Sequence, residues 1–158
     1  MRAHRSHTLR RGRWSEPGRI YHLTLVTRDR LPCFGEWTAA SAVARALADP
    51  RAWADSRLLC WVLMPDHWHG VLQLGEAETL SRNVGRAKAH ASRAWRPADG
   101  GKLWQPGFHD RALRAEEDLL AVARYVVANP IRAGLSRGYG AWPYWDAVWI
   151  HGDADPAA

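Results

Sequence analysis

His67 and His69 stand two residues apart in a stretch whose side chains alternate along residues 67–74. On a strand, alternate residues face one side, so both imidazoles point the same way. Two nitrogen donors at that spacing suit one divalent metal. Tyr125 and Asn129 are four apart on a predicted helix and share a face one turn apart. Asn129 could offer a carbonyl oxygen to the same metal, with Tyr125 beside it. Each pair alone also has a plain alternative. His-x-His occurs on solvated strand faces, and Asn129-Pro130 also reads as an ordinary helix stop beneath a core or surface tyrosine.

The elements around these residues follow from periodicity. Residues 20–28 alternate, with Ile20, His22, Thr24 and Val26 opposing Tyr21, Leu23, Leu25 and Thr27, and predict a strand. Residues 29–35 carry Pro32 and Gly35 and predict a loop. Thr38 is the expected cap of a helix over 39–48, ended by Asp49-Pro50. The apolar run 57–64 predicts a buried strand, and Pro65-Asp66 breaks it before residues 67–74, as in a hairpin. There His67, His69, Val71 and Gln73 share one face, and Trp68, Gly70, Leu72 and Leu74 the other. Residues 79–95 predict a helix with an apolar stripe of Leu80, Val84, Ala87, Ala91 and Ala94. Asp99-Gly100-Gly101 is a turn, and 108–114 a fourth strand. A last helix is expected over 116–128, with three acids in its first turn and its end at Pro130. The order β-α-β-β-α-β-α predicts an α+β fold. It begins as a ferredoxin-like antiparallel sheet (a split β-α-β unit) with helices on one face and adds a C-terminal helix.

Composition sets the class of partner. The 158 residues fit a single domain, and 47% hydrophobic residues allow a real core. The formal charge is +6 and the pI about 10.0. Lys88 and Lys102 are the only lysines, so arginine carries nearly all the positive charge. The planar guanidinium fork grips phosphate with paired hydrogen bonds. With ten tryptophans, this balance points to nucleic acid, although an Ala- and Arg-rich chain can also reflect codon usage. Residues 1–19 read as a basic arm that can lie along a phosphate backbone, or equally as a solvated tail, with Arg2, Arg5, Arg10, Arg11 and Arg13 preceding the first acid, Glu16. Residues 136–158 form a Trp-rich tail expected to pack on the domain, with base stacking as an alternative. Cys33 and Cys60 stand apart, which excludes a Cys-rich zinc site and suggests free thiols in a reducing compartment. No apolar run approaches the ~20 residues of a membrane helix, nor does a secretory signal stand at the N-terminus. The expected location is cytoplasmic, associated with the nucleoid.

Two segments together are specific. Trp61-Val62-Leu63-Met64-Pro65-Asp66-His67-Trp68-His69 and Tyr125-Val126-Val127-Ala128-Asn129-Pro130-Ile131-Arg132-Ala133-Gly134-Leu135 resemble signatures of the REP-associated tyrosine transposases. That family is a branch of the single-tyrosine HUH transposases, named for histidine, a hydrophobic residue, histidine. Pro17-Gly18, Lys88, Trp104-Gln105, Phe108, Asp110 and Arg111 extend the resemblance from about residue 10 to 135. Asp66 departs from it, since Asn is common there. His109 stands where an aromatic residue is common, and the tail after Tyr139 matches nothing in the pattern.

The resemblance implies binding of single-stranded or hairpin DNA with Mg²⁺ or Mn²⁺. His67, His69 and Asn129 would hold the metal. Tyr125 would attack phosphorus, leaving a free 3′ hydroxyl and a 5′-phosphotyrosine. Lys88, Arg86, Arg111 and the arm residues Arg10, Arg11 and Arg13 are the candidate phosphate contacts. The chain would act as a monomer or homodimer. Two alternatives remain: a non-catalytic hairpin-DNA-binding module of the same fold, and a metal-dependent hydrolase for which Tyr125 is dispensable.

Overall fold

The computed structural model describes residues 15–151. The arm arginines Arg10, Arg11 and Arg13 lie outside the described residues. Five strands form one antiparallel sheet: β1 (Ile20–Val26), β2 (Arg57–Leu63), β3 (His67–Gln73), β4 (His109–Ala112) and β5 (Trp145–Ala147). Their order is β4-β1-β3-β2-β5. The first four strands have the order expected of the split β-α-β arrangement. Among the described residues no helix is long and apolar enough to cross a membrane.

Alternation sorts the side chains onto two apolar layers. Tyr21, Leu23 and Leu25 of β1, Trp61 and Leu63 of β2, and Trp68 and Leu72 of β3 enter one buried cluster. Helices α1 (Trp37–Ala48) and α2 (Leu80–Ala94) cover that face through Val43, Leu47, Leu80, Val84, Ala87 and Ala91. Cys60, Val62 and Val71 enter a second cluster with Ala123, Val126 and Val127 of helix α3 (Leu119–Val127). The added C-terminal helix therefore lies on the sheet face opposite α1 and α2. A bulge in β2 between Leu58 and Cys60 places consecutive Leu59 and Cys60 in the same layer before alternation resumes.

Trp68, the residue between the two histidines, anchors β3. Its indole is fully buried and stacks on Trp53 with ring centroids 5.5 Å apart. Gly70 makes room for it, because a Cβ at position 70 would lie 2.1 Å from the Trp68 ring. Burying Trp68 on the α1/α2 face forces His67 and His69 to the α3 face, since strand residues alternate.

Several boundaries differ from the sequence expectation. Thr38 is inside α1, whose cap position is Glu36 and carries no side-chain hydrogen bond. Thr79 does cap α2, accepting from the Arg82 amide at 3.3 Å, but Ala94 at the other end of that helix is exposed. Helix α3 starts at Leu119, so Glu116, Glu117 and Asp118 precede it. Asp118 acts as a cap, its carboxylate accepting from the amides of Leu120 and Ala121. Pro130 does not end helical structure: it lies in the first turn of a short helix α4 (Asn129–Arg132), where its missing N–H costs no bond. The tail supplies β5, an edge strand paired with β2, and Trp142 donates from Nε1 to the Leu63 carbonyl at 3.0 Å.

Candidate functional site

Pairing of β1 with β3 sets Thr24 opposite His69 and His22 opposite Val71. His69 Nδ1 lies 3.0 Å from Thr24 Oγ and 3.3 Å from His22 Nε2. His67 Nδ1 lies 2.6 Å from the Asp66 carboxylate, which also receives Arg30 at 3.3 Å. The two imidazoles of the triplet meet edge to face, with centroids 4.8 Å apart. In both rings Nδ1 is engaged by a neighbour, so the Nε2 edge is turned away from those partners.

The electrostatics favour the neutral form of His69 and His22. Burial, followed by the positive potentials of His67, His22 and Arg132, pushes His69 down to about 3. Burial and then Arg111 also lower His22. Burial alone would raise the Asp66 carboxyl, but the hydrogen bonds and charges of His67 and Arg30 together hold it below its ordinary value. Neutral imidazole is the form that ligates a metal.

Tyr125, the candidate nucleophile, belongs to α3. Ala123, Val126 and Val127 of that helix point into the sheet-side cluster. Leu120, Ala123, Arg124 and Val127 line one flank, a cleft of about 310 Å³ shared with Tyr139 and Trp145 next to β5. At 100° per residue, Tyr125 lies on the side of the helix turned away from that cluster. It is 61% exposed. The Arg132 guanidinium lies 3.7 Å from its ring centroid and also donates to the Tyr125 carbonyl. Asn129 is half-buried at the start of α4, so the single helix expected to carry both it and Tyr125 is interrupted at Ala128.

Among the described residues no three His, Cys, Asp or Glu side chains converge as a metal cage. A metal here would draw on the two imidazoles, with its remaining positions open to other oxygen donors, substrate and water. Such a donor set fits a divalent cation that must also meet a phosphate.

The family model for IS200-like transposases matches residues 17–129. The chain belongs to that family. The matched span reaches from the residues before β1 to Asn129, and so takes in the His triplet and Tyr125. This IS200-like chain is 28% identical over 89 residues to a REP-associated tyrosine transposase of Escherichia coli K12, matching 53% of its own length. It spans about half the length of that curated relative, 50%. In fold it is similar to a REP-associated tyrosine transposase solved bound to a REP hairpin, with a TM-score of 0.65 and 21% identity over 84% of this chain and 79% of that one. It is also similar to a crystal structure assigned as a transposase in Deinococcus radiodurans R1, with a TM-score of 0.53 and 23% identity over 73% of this chain and 93% of that one.

The expected phosphate contacts fare differently from the histidines. Arg86 pairs with Glu78, and Arg111 with Glu117 at 2.7 Å. Lys88 is half-buried, and its ammonium donates to the carbonyls of Gln105 and Gly107, which holds the loop before β4. All three therefore have intramolecular partners, and only Arg111 stands near the histidines, opposite His22. Sequence reasoning missed His22, Thr24, Arg30 and Arg132 as neighbours of the site. His22 and Thr24 shared a face in the alternation of β1, but nothing in that pattern says which strand lies beside it. Arg132 stands seven residues after Tyr125, two helical turns on, which was a usable signal.

Proposed function

We propose that this chain is a single-tyrosine endonuclease and strand transferase acting on single-stranded or hairpin DNA. The carrying observation is the paired imidazoles of His67 and His69, both engaged at Nδ1, on the sheet face covered by α3, the helix that carries Tyr125. The E. coli relative, a REP-associated tyrosine transposase, supports REP-type hairpins as the substrate class.

In this reading Tyr125 Oη attacks the scissile phosphorus. The P–O bond to the 3′ oxygen breaks, and that oxygen takes up a proton and leaves as a hydroxyl. The phenol proton goes to solvent, and the 5′ phosphate stays on Tyr125 as a phosphodiester, which conserves the bond for transfer to another strand. His67, His69 and Asn129 would hold Mg²⁺ or Mn²⁺, which when bound offsets charge on the phosphate. Imidazole donors suit Mn²⁺ better than Mg²⁺. Arginines supply affinity along the backbone, including Arg10, Arg11 and Arg13 of the arm, with Lys88, Arg86 and Arg111 contributing where DNA displaces their present partners. One nucleophilic tyrosine per chain, Tyr125, gives one nick at a time, so two-ended chemistry takes two chains or two turnovers.

The test is a labelled hairpin oligonucleotide incubated with the protein and Mn²⁺, then resolved on a denaturing gel. The expected result is a covalent protein–DNA band, absent in Tyr125→Phe and in His67→Ala. Cleavage without an adduct that survives Tyr125→Phe would establish a hydrolase instead. Binding without cleavage under either metal would leave a hairpin-binding module.

A further inference from the structure

Asp66 lies just before the histidine triplet, and its position is over-determined. Its backbone carbonyl accepts from the Thr27 amide at 3.0 Å and from Thr27 Oγ at 2.9 Å. Thr27 is fully buried, so this anchor does not move with the surface. The Asp66 side chain is held from two directions, by Arg30 at 3.3 Å and by His67 Nδ1 at 2.6 Å.

A carboxylate has no proton to give, so His67 Nδ1 must be the donor in that short bond. A neutral imidazole with its proton on Nδ1 has its lone pair on Nε2. We propose that Asp66 is a positioning residue for His67, which fixes the Nδ1–H tautomer and turns the Nε2 lone pair to the side where a divalent cation would bind. Its relevance to metal rests on the function proposed above. Carboxylates behind metal-binding imidazoles make the ring more basic and commonly change metal affinity by about 10- to 100-fold. An amide at this position could still accept from Nδ1–H through its oxygen, but would bring no negative charge. Asp66 therefore supplies two separable things, an acceptor that sets the tautomer and a charge that strengthens the ligand. His69 obtains its orientation from neutral groups, Thr24 and His22, so the two histidines are supported unequally.

The experiment uses the full chain labelled with ¹⁵N-histidine, read by two-bond ¹H–¹⁵N correlation, with Asp66→Asn and Asp66→Ala as variants. In the wild type His67 is expected to show a protonated Nδ1 and a bare Nε2. Asp66→Ala should shift that ring toward the Nε2–H form, and Asp66→Asn should restore the wild-type pattern. Mn²⁺ titrated without DNA should broaden the His67 and His69 signals, with midpoints rising in the order wild type, Asp66→Asn, Asp66→Ala and spanning about 10-fold or more. An Nε2–H tautomer in the wild type, or an unchanged tautomer in folded Asp66→Ala, would overturn the role of Asp66. If that variant does not fold, equal Mn²⁺ midpoints for wild type and Asp66→Asn would overturn the role of its charge. If Mn²⁺ leaves the wild-type rings sharp at millimolar concentration, the metal reading itself fails, while the tautomer measurement still decides what Asp66 does to His67.

Discussion

The guanidinium of Arg132 lies 3.7 Å from the centroid of the Tyr125 ring while donating to the Tyr125 carbonyl. One side chain thus ties the end of α4 to the last turn of α3 and covers a face of the candidate nucleophile. A cation on an aromatic face at an exposed site contributes about 0.5–1 kcal/mol. Arg132→Ala should therefore slow adduct formation roughly 2- to 5-fold through misplacement of Tyr125. Arg132→Lys should fall between, because lysine keeps the charge but not the planar stack. Single-turnover rates at saturating DNA measure this, and unchanged rates would remove Arg132 from the site.

Gly70→Ala tests whether the buried face of β3 aims the histidines. The added methyl would meet the Trp68 ring at 2.1 Å, and that indole is already stacked on Trp53. Overpacking of this kind costs about 1–3 kcal/mol. The expected outcome is a lower midpoint in denaturant and a disturbed His67–His69 pair in histidine NMR spectra, although the substitution is on the opposite face of the sheet.

His69 gives a pH dependence with a definite sign. Its folded-state value is about 3 against an ordinary 6.5, chiefly because it is buried. Below 6.5 the unfolded chain takes up a proton that the folded chain refuses. The contribution to stability is therefore complete above that value and is lost as pH falls toward 3. Urea unfolding midpoints should decline through mildly acidic pH, and the His69 ring resonances should stay flat across the range where an ordinary histidine titrates. A His69 titration near neutrality would contradict the packing around it.

Asn129 can be separated from the helix it begins. Asn129→Ala should raise the Mn²⁺ concentration needed for cleavage, and Asn129→Asp should recover much of the loss, because a carboxylate is a stronger oxygen donor. Equal metal dependence in all three proteins would remove Asn129 from the ligand set.

The Trp-rich tail should matter to stability before it matters to DNA. Truncation after Leu135 removes β5 and exposes the edge of β2, together with the Leu63 carbonyl that Trp142 now satisfies. Exposed strand edges pair with other chains. The truncated protein should self-associate on size-exclusion chromatography and melt well below the full chain, and a monomer of unchanged stability would refute this.

Much of the site was legible in the sequence because it depends on short periods. Two residues along a strand place side chains on one face whatever the surroundings, which is why the His67–His69 pair could be read directly, whereas Tyr125 and Asn129, expected on one helix, fall on α3 and α4. The alternation of β3 also assigned Trp68 to the face opposite the histidines, where it is fully buried. The ferredoxin-like order of β1 to β4 followed from the succession of elements. Tertiary structure decided what lies beside each pair. Only the β1–β3 register brings His22 and Thr24 to His69, and only the fold of the loop after β1 brings Arg30 to Asp66. It decided that α3 takes the histidine face, and that the tail adds a fifth strand. It also showed that the charges of Arg86 and Arg111 meet internal carboxylates. Those outcomes rest on contacts between residues far apart in the chain, which local periodicity does not encode.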